Sequence, residues 1–246
     1  MRQRTGLAAI VVALLVVTSA GVAGAGARTG DRRAPGGGYE PTIRPADFGG
    51  PIDNPYLPLV PGARSVYTVT TPEGPEQIVV EVTNDTRKIL GISTVVVHDV
   101  ATKDGQVIED TFDWYAQDAA GTVWYFGEDT TSYKNGAAST AGSWEAGVNG
   151  AQPGIVMKAH PRVGAAYRQE YLRGTAEDRA RVLSVDASAS VPFGTYERSL
   201  VKTKDITDLE PDLVEHKYYA RGIGAVLEVD VRGGSERVEL VEHTTP

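Results

Sequence analysis

The residues to weigh for chemistry in this 246-residue chain are its carboxylates, histidines and aromatic rings, and the sequence contains no cysteine. That excludes a thiol nucleophile, a disulfide and a Cys-ligated zinc or iron–sulfur site. Six acidic side chains lie between Glu109 and Asp129, a stretch that a turn at Asp118-Ala119-Ala120-Gly121 folds into a hairpin. With Gln117 facing Thr122, Trp114 faces Tyr125, Phe112 faces Gly127 and Asp110 faces Asp129. Directly opposed carboxylates destabilise a hairpin unless something compensates. Asp110 and Asp129 therefore either splay into solvent or share a cation, and their hard oxygens would suit Ca²⁺ or Mg²⁺. No EF-hand loop accompanies them, so no cofactor is assigned beyond that option. Glu109, Asp113 and Glu128 add acidity on the reverse face of the same hairpin.

The four histidines, His98, His160, His216 and His243, form neither His-x-x-x-His nor His-Glu-x-x-His. His98-Asp99 and Glu215-His216 are neighbours on strands, so each pair points to opposite faces. There is no Gly-x-Ser-x-Gly and no Walker loop, and Gly222-Ile223-Gly224 precedes no helix that could receive a phosphate. No catalytic residue is assigned, and the chain leans away from being an enzyme. Trp124 and Tyr125 could stack a sugar or an apolar ligand, or simply fill a core. Trp144 sits in a long irregular segment and His160 at its exit. Trp124, Tyr125, Trp144 and His160 are the candidate ligand-binding residues.

The elements that must position these residues are strands. From Asn54 onward the hydrophobic pattern alternates with period two, and turn signals at Pro72-Glu73-Gly74-Pro75, Asn84-Asp85 and Lys103-Asp104-Gly105 separate the runs. No amphipathic helix lies between them. The expected class is all-β: an antiparallel meander of about ten strands, forming one strongly curved sheet or barrel-like fold.

The meander reads as two duplicated units. Gly62, Gly91, Tyr115 and Gly121 find counterparts in Gly164, Gly194, Tyr219 and Gly224, in the same order and at closely similar spacing. Lys217 then stands where the first unit has Asp113. Copy one covers 58–129, an inserted loop 130–160, copy two 161–231 and a final strand 235–242, all within one domain from 53 to 246. The insert carries Trp144 and either contributes function or plugs one end of the barrel.

Ahead of the domain, Arg2 and Arg4, the apolar run from Leu7 to Val17 and Ala25-Gly26-Ala27 have the form of an export signal over residues 1–27. Cleavage would leave no stable membrane span; retention would leave an anchor. Residues 28–52 read as a disordered Gly- and Pro-rich tether. Hydrophobic residues make up 41% of the chain, enough for one sizeable core. The net charge of −8 argues against nucleic acid and anionic membrane as partners.

The stretch from Asp53-Asn54-Pro55-Tyr56 to Val60-Pro61-Gly62 resembles the opening of an uncharacterised family of secreted bacterial proteins of actinobacterial type. Asp113-Trp114-Tyr115-Ala116, Ser143-Trp144-Glu145-Ala146-Gly147 and Glu215-His216-Lys217-Tyr218-Tyr219-Ala220 share that resemblance, which spans most of 53–242. It implies no activity. The Tyr-Tyr-Ala hairpin is also similar to periplasmic curved-sheet proteins shaped like lipoprotein carriers, which implies a binding role. The leading expectation is a secreted, non-enzymatic β protein of the cell envelope that binds a small-molecule or lipid-like ligand or an envelope protein. The rivals are a metal-assisted hydrolase working through hairpin 109–129 and a structural envelope module.

Overall fold

The computed structural model describes residues 39–246, so the expected signal and the start of the tether lie outside the described residues. Fifteen strand segments follow one short 3₁₀ turn at Pro45–Asp47. In the first half of the chain they are β1 (Arg64–Thr71), β2 (Gly74–Ile89), β3 (Ile92–Lys103), β4 (Gln106–Gln117), β5 (Val123–Lys134), β6 (Ala137–Ser139), β7 (Trp144–Glu145) and β8 (Gln152–Met157). In the second half they are β9 (Ala166–Arg168), β10 (Glu170–Tyr171), β11 (Asp178–Val191), β12 (Gly194–Thr207), β13 (Val214–Ala220), β14 (Gly224–Arg232) and β15 (Arg237–Thr244). Every pairing is antiparallel.

The hydrogen-bonded path runs β10-β8-β5-β4-β3-β2-β1-β15-β14-β13-β12-β11-β9, with β6 and β7 attached to β5. Its two ends are consecutive pieces of one extended run, broken only at Gln169. β9 pairs with β11 and β10 with β8, so this run bridges the two edges and the sheet nearly closes into a barrel. Closure removes the exposed edges that so long a sheet would otherwise present. The expected all-β, barrel-like class holds. The strand count is larger than ten because the insert and the short strands at the seam join the sheet.

The two halves of the ring carry matching detail. Gly62 N donates to Val82 O at 2.7 Å, Ala63 N to Val60 O at 2.9 Å and Val82 N to Ala63 O at 2.9 Å. Gly164, Ala165 and Val182 repeat this set with Arg162 at 2.9, 3.0 and 2.9 Å. Trp114 is opposite Gly127 while Tyr115 is opposite Tyr125, leaving Phe126 as an extra residue. Tyr218 is opposite Leu227 while Tyr219 is opposite Ala225, leaving Val226 in the same role. These bonds and bulges fall at the anchors of the expected duplication. β8, inside the segment read as an insert, pairs with β10 as β15 pairs with β1.

Residues 39–52, expected at the end of a disordered tether, lie against the barrel instead. Tyr39 Oη donates to Pro153 O at 3.1 Å, and Phe48 packs edge-on against Phe126 at 5.7 Å. Ile52 is buried and bridges Leu59. The Gly- and Pro-rich composition hid these three apolar anchors, which recover enough buried surface to order the segment. Beyond them, Asn54 fastens the chain across one barrel end. Its Nδ2 donates to Gly121 O at 2.7 Å and Lys158 O at 3.2 Å, and its Oδ1 accepts from Tyr56 N at 2.9 Å.

Candidate ligand site in the barrel interior

Alternation along β4 separates two faces, and the structure turns the acidic one inward. Glu109, Thr111, Asp113 and Tyr115 are buried, whereas Asp110 is half-exposed and Phe112 exposed. The expected register does not form. The turn at Asp118 is wider, because Asp118 Oδ1 accepts from both Ala120 N and Thr122 N, and the bulge at Phe126 adds a second shift. Asp110 is therefore opposite Thr131, and Asp129 is opposite Phe112. Asp129 is exposed, and Asp110 Oδ1 is bonded to His98 Nε2 at 2.7 Å on the outer wall. The juxtaposition that suggested a shared Ca²⁺ or Mg²⁺ is absent. Among the described residues no group of histidines and carboxylates is arranged to hold a metal ion.

The bulge places Asp113 directly opposite Glu128, both inside the barrel and both under 4% exposed. Tyr115 and Tyr125 stack beside them, with ring centroids 5.0 Å apart, and Tyr125 Oη donates to Asp113 Oδ1 at 2.7 Å. β7 pairs Trp144 with Glu128, which sends the indole inward, edge-on to Tyr125 at 5.2 Å. Glu170, at the seam, completes the group from the far side and is 1% exposed. The Trp144 indole N–H is directed toward the Glu170 carboxyl but does not reach hydrogen-bond geometry.

Four buried polar atoms here have no hydrogen-bond partner: Tyr115 Oη, Glu128 Oε2, Glu170 Oε2 and Trp144 Nε1. Buried polar groups are nearly always paired, so such a set needs an explanation. The electrostatics are equally one-sided. Burial, then Asp113, Glu170 and Glu109, push the Glu128 carboxyl well above the ordinary range. Burial first and Asp178 second do the same to Glu170. Burial, followed by Asp113 and Glu76, lifts Glu109 to about 8. Asp113 is raised by burial, an effect partly offset by the hydrogen bond from Tyr125.

The second half solves the same problem differently. Lys217 takes the register position of Asp113 and is opposite Glu228, with Nζ 3.3 Å from Glu228 Oε2 and 3.8 Å from Glu215 Oε2. Burial alone would lower the Lys217 ammonium. The Glu228, Glu215 and Asp205 carboxyls together hold it well above the ordinary lysine value. Nine carboxyl side chains are buried among the described residues against this single buried lysine.

The sequence candidates are scattered. Tyr125 and Trp144 belong to the interior group. Trp124 points outward, its Nε1 donating to Asp118 Oδ2 at 2.9 Å. His160 is exposed and lines a groove of about 490 Å³ at the Asn54 end, with Tyr56 and Arg221. Asp113, Tyr115, Glu128 and Glu170 were not among the candidates. Alternation had already placed Asp113 and Glu128 on one face; the missing fact was that this face is the inner one.

No family model matches the chain, and no curated protein is similar to it in sequence. Among solved structures, a "putative lipoprotein" from Parabacteroides distasonis is similar over 77% of this chain and 98% of its own, at 11% identity and a TM-score of 0.41. At that distance the likeness carries no argument about function.

Proposed function

We propose that this chain is an exported, non-enzymatic β protein that binds a small molecule inside the first half of its barrel. The observation that carries it is that Tyr115 Oη, Glu128 Oε2, Glu170 Oε2 and Trp144 Nε1 are all buried and unpartnered in one neighbourhood, beside the stacked Tyr115 and Tyr125 rings. Aromatic walls with a few directed polar atoms are the usual make-up of a small-molecule site. The export signal read in residues 1–27 supports an extracytoplasmic setting. An exposed apolar patch around Trp144 would favour the structural-module alternative, whereas the Trp144 side chain itself is buried. Native mass spectrometry on the protein recovered from its own host is the test. A stoichiometric small-molecule adduct, lost on Glu128→Gln, is the expected result. A protein that carries nothing, and whose melting temperature shifts with no member of a charge-diverse compound set, would overturn the proposal.

A further inference from the structure

The inner surface of this barrel contains the same structural position twice, with opposite charge. In the second half, Lys217 is paired in register with Glu228, and its ammonium lies among Glu228, Glu215 and Asp205. In the first half, Asp113 is paired in register with Glu128, beside the corresponding bulge, and among the described residues no buried lysine or arginine accompanies them. An aspartate is shorter than a lysine, so Asp113 ends short of where an ammonium at this position would sit. Glu128 Oε2, Glu170 Oε2 and the Tyr115 hydroxyl, none of which has a hydrogen-bond partner, belong to the same buried group as Asp113. The Tyr125 and Trp144 rings wall it at 5.2 Å from one another.

From the proposed interior site we infer that its ligand is a small organic cation bearing N–H donors, an alkylammonium or a guanidinium, whose charged end takes the place that the Lys217 ammonium has in the other half. Each unpartnered acceptor then receives a charge-assisted hydrogen bond, and the rings face the cation. A bare metal ion fits less well, since among the described residues no group of three or more histidines and carboxylates could hold one.

The test uses the full chain at pH 8 and five probes of similar size: n-butylammonium, n-butylguanidinium, n-butanol, butyrate and tetramethylammonium. Binding is read by melting temperature and native mass spectrometry. Butylammonium or butylguanidinium is expected to bind, with tetramethylammonium at least about tenfold weaker because it lacks N–H donors. Asp113→Lys, which supplies the cation from the chain, is expected to abolish that binding while the protein stays folded. Should Asp113→Lys fail to fold, Asp113→Asn serves instead, with a loss of about tenfold or more expected. Binding of butanol or butyrate in preference to the two N–H cations, if sensitive to Asp113, would overturn the cation while keeping the site. Cation binding that neither variant weakens would overturn the placement. If no probe of any charge binds, both the cation and the interior site fall.

Discussion

At the scale of single residues, Lys217 and Asp113 stand at matching register positions beside similar bulges, one with a buried cation and one without. A buried charge is tolerable only with partners, and breaking a buried pair leaves the survivor uncompensated. Lys217→Met would leave Glu228, Glu215 and Asp205 without their cation. The expected cost is about 3–5 kcal/mol, read by chemical denaturation. A loss below about 1 kcal/mol would mean that the carboxyls do not depend on the ammonium. The contrast itself was visible in the sequence, since aligning Tyr115 with Tyr219 sets Lys217 against Asp113. What composition concealed was burial. A face reading Glu-x-Thr-x-Asp-x-Tyr is the polar one by any hydropathy rule, and Phe112, with Ile108 and Trp114, marks the other as apolar. The barrel inverts that expectation in the middle of β4, burying Glu109 and Asp113 and leaving Phe112 exposed beside His98, against which it stacks at 4.3 Å, while Trp114 on the same face as Phe112 is buried as well.

At the scale of elements, the bulge in β5 decides what the site contains. Period-two alternation identified the strands and their turns, because each turn carries its own Gly, Pro, Asn or Asp. It could not locate a bulge, which changes the register by one residue without changing composition. Gly127 is where this bulge becomes possible. Its φ is +132°, and a Cβ there would lie 2.2 Å from Trp144 O. β7 can approach β5, and Trp144 can enter the interior, only because this residue has no side chain. Gly127→Ala is expected to cost about 2–4 kcal/mol and to release β7. Tryptophan fluorescence should shift to the red as Trp144 meets water. An unshifted spectrum at native stability would mean that the close approach is not needed.

At the scale of the whole molecule, the protein is a nearly closed ring stabilised without disulfides, with most of its buried charge of one sign. The sign of its pH dependence follows. Burial, with Asp230 second, raises Glu236 to about 8, the value Glu109 also reaches. Asp99, Asp113, Glu128, Glu170, Asp178, Asp205, Glu215, Glu228 and Asp230 are raised in the same direction, burial being the first cause in each case. The folded state thus holds protons that the unfolded chain has released, and stability declines as pH rises through the folded values. His216 and His243 are lowered, mainly by burial, and so act oppositely, but only up to the ordinary histidine value. Lys158, lowered by burial, also acts oppositely as pH approaches the ordinary lysine value, but the carboxyls outnumber it and set the sign from pH 7 to pH 9. Glu109 and Glu236 should each remove about 1 kcal/mol across it. A denaturation midpoint that rises over that interval would contradict the assignment.

The central claim is that the first half of the interior waits for a cation, and a bound cation must displace the protons these carboxyls hold. Calorimetric titration of n-butylammonium into the wild-type protein at pH 8, in two buffers of different ionisation enthalpy, tests this directly. The expected result is saturable binding with one site per chain and a heat that differs between the buffers, because protons are released on binding. No saturable heat in either buffer, or binding with the same heat in both, would contradict it.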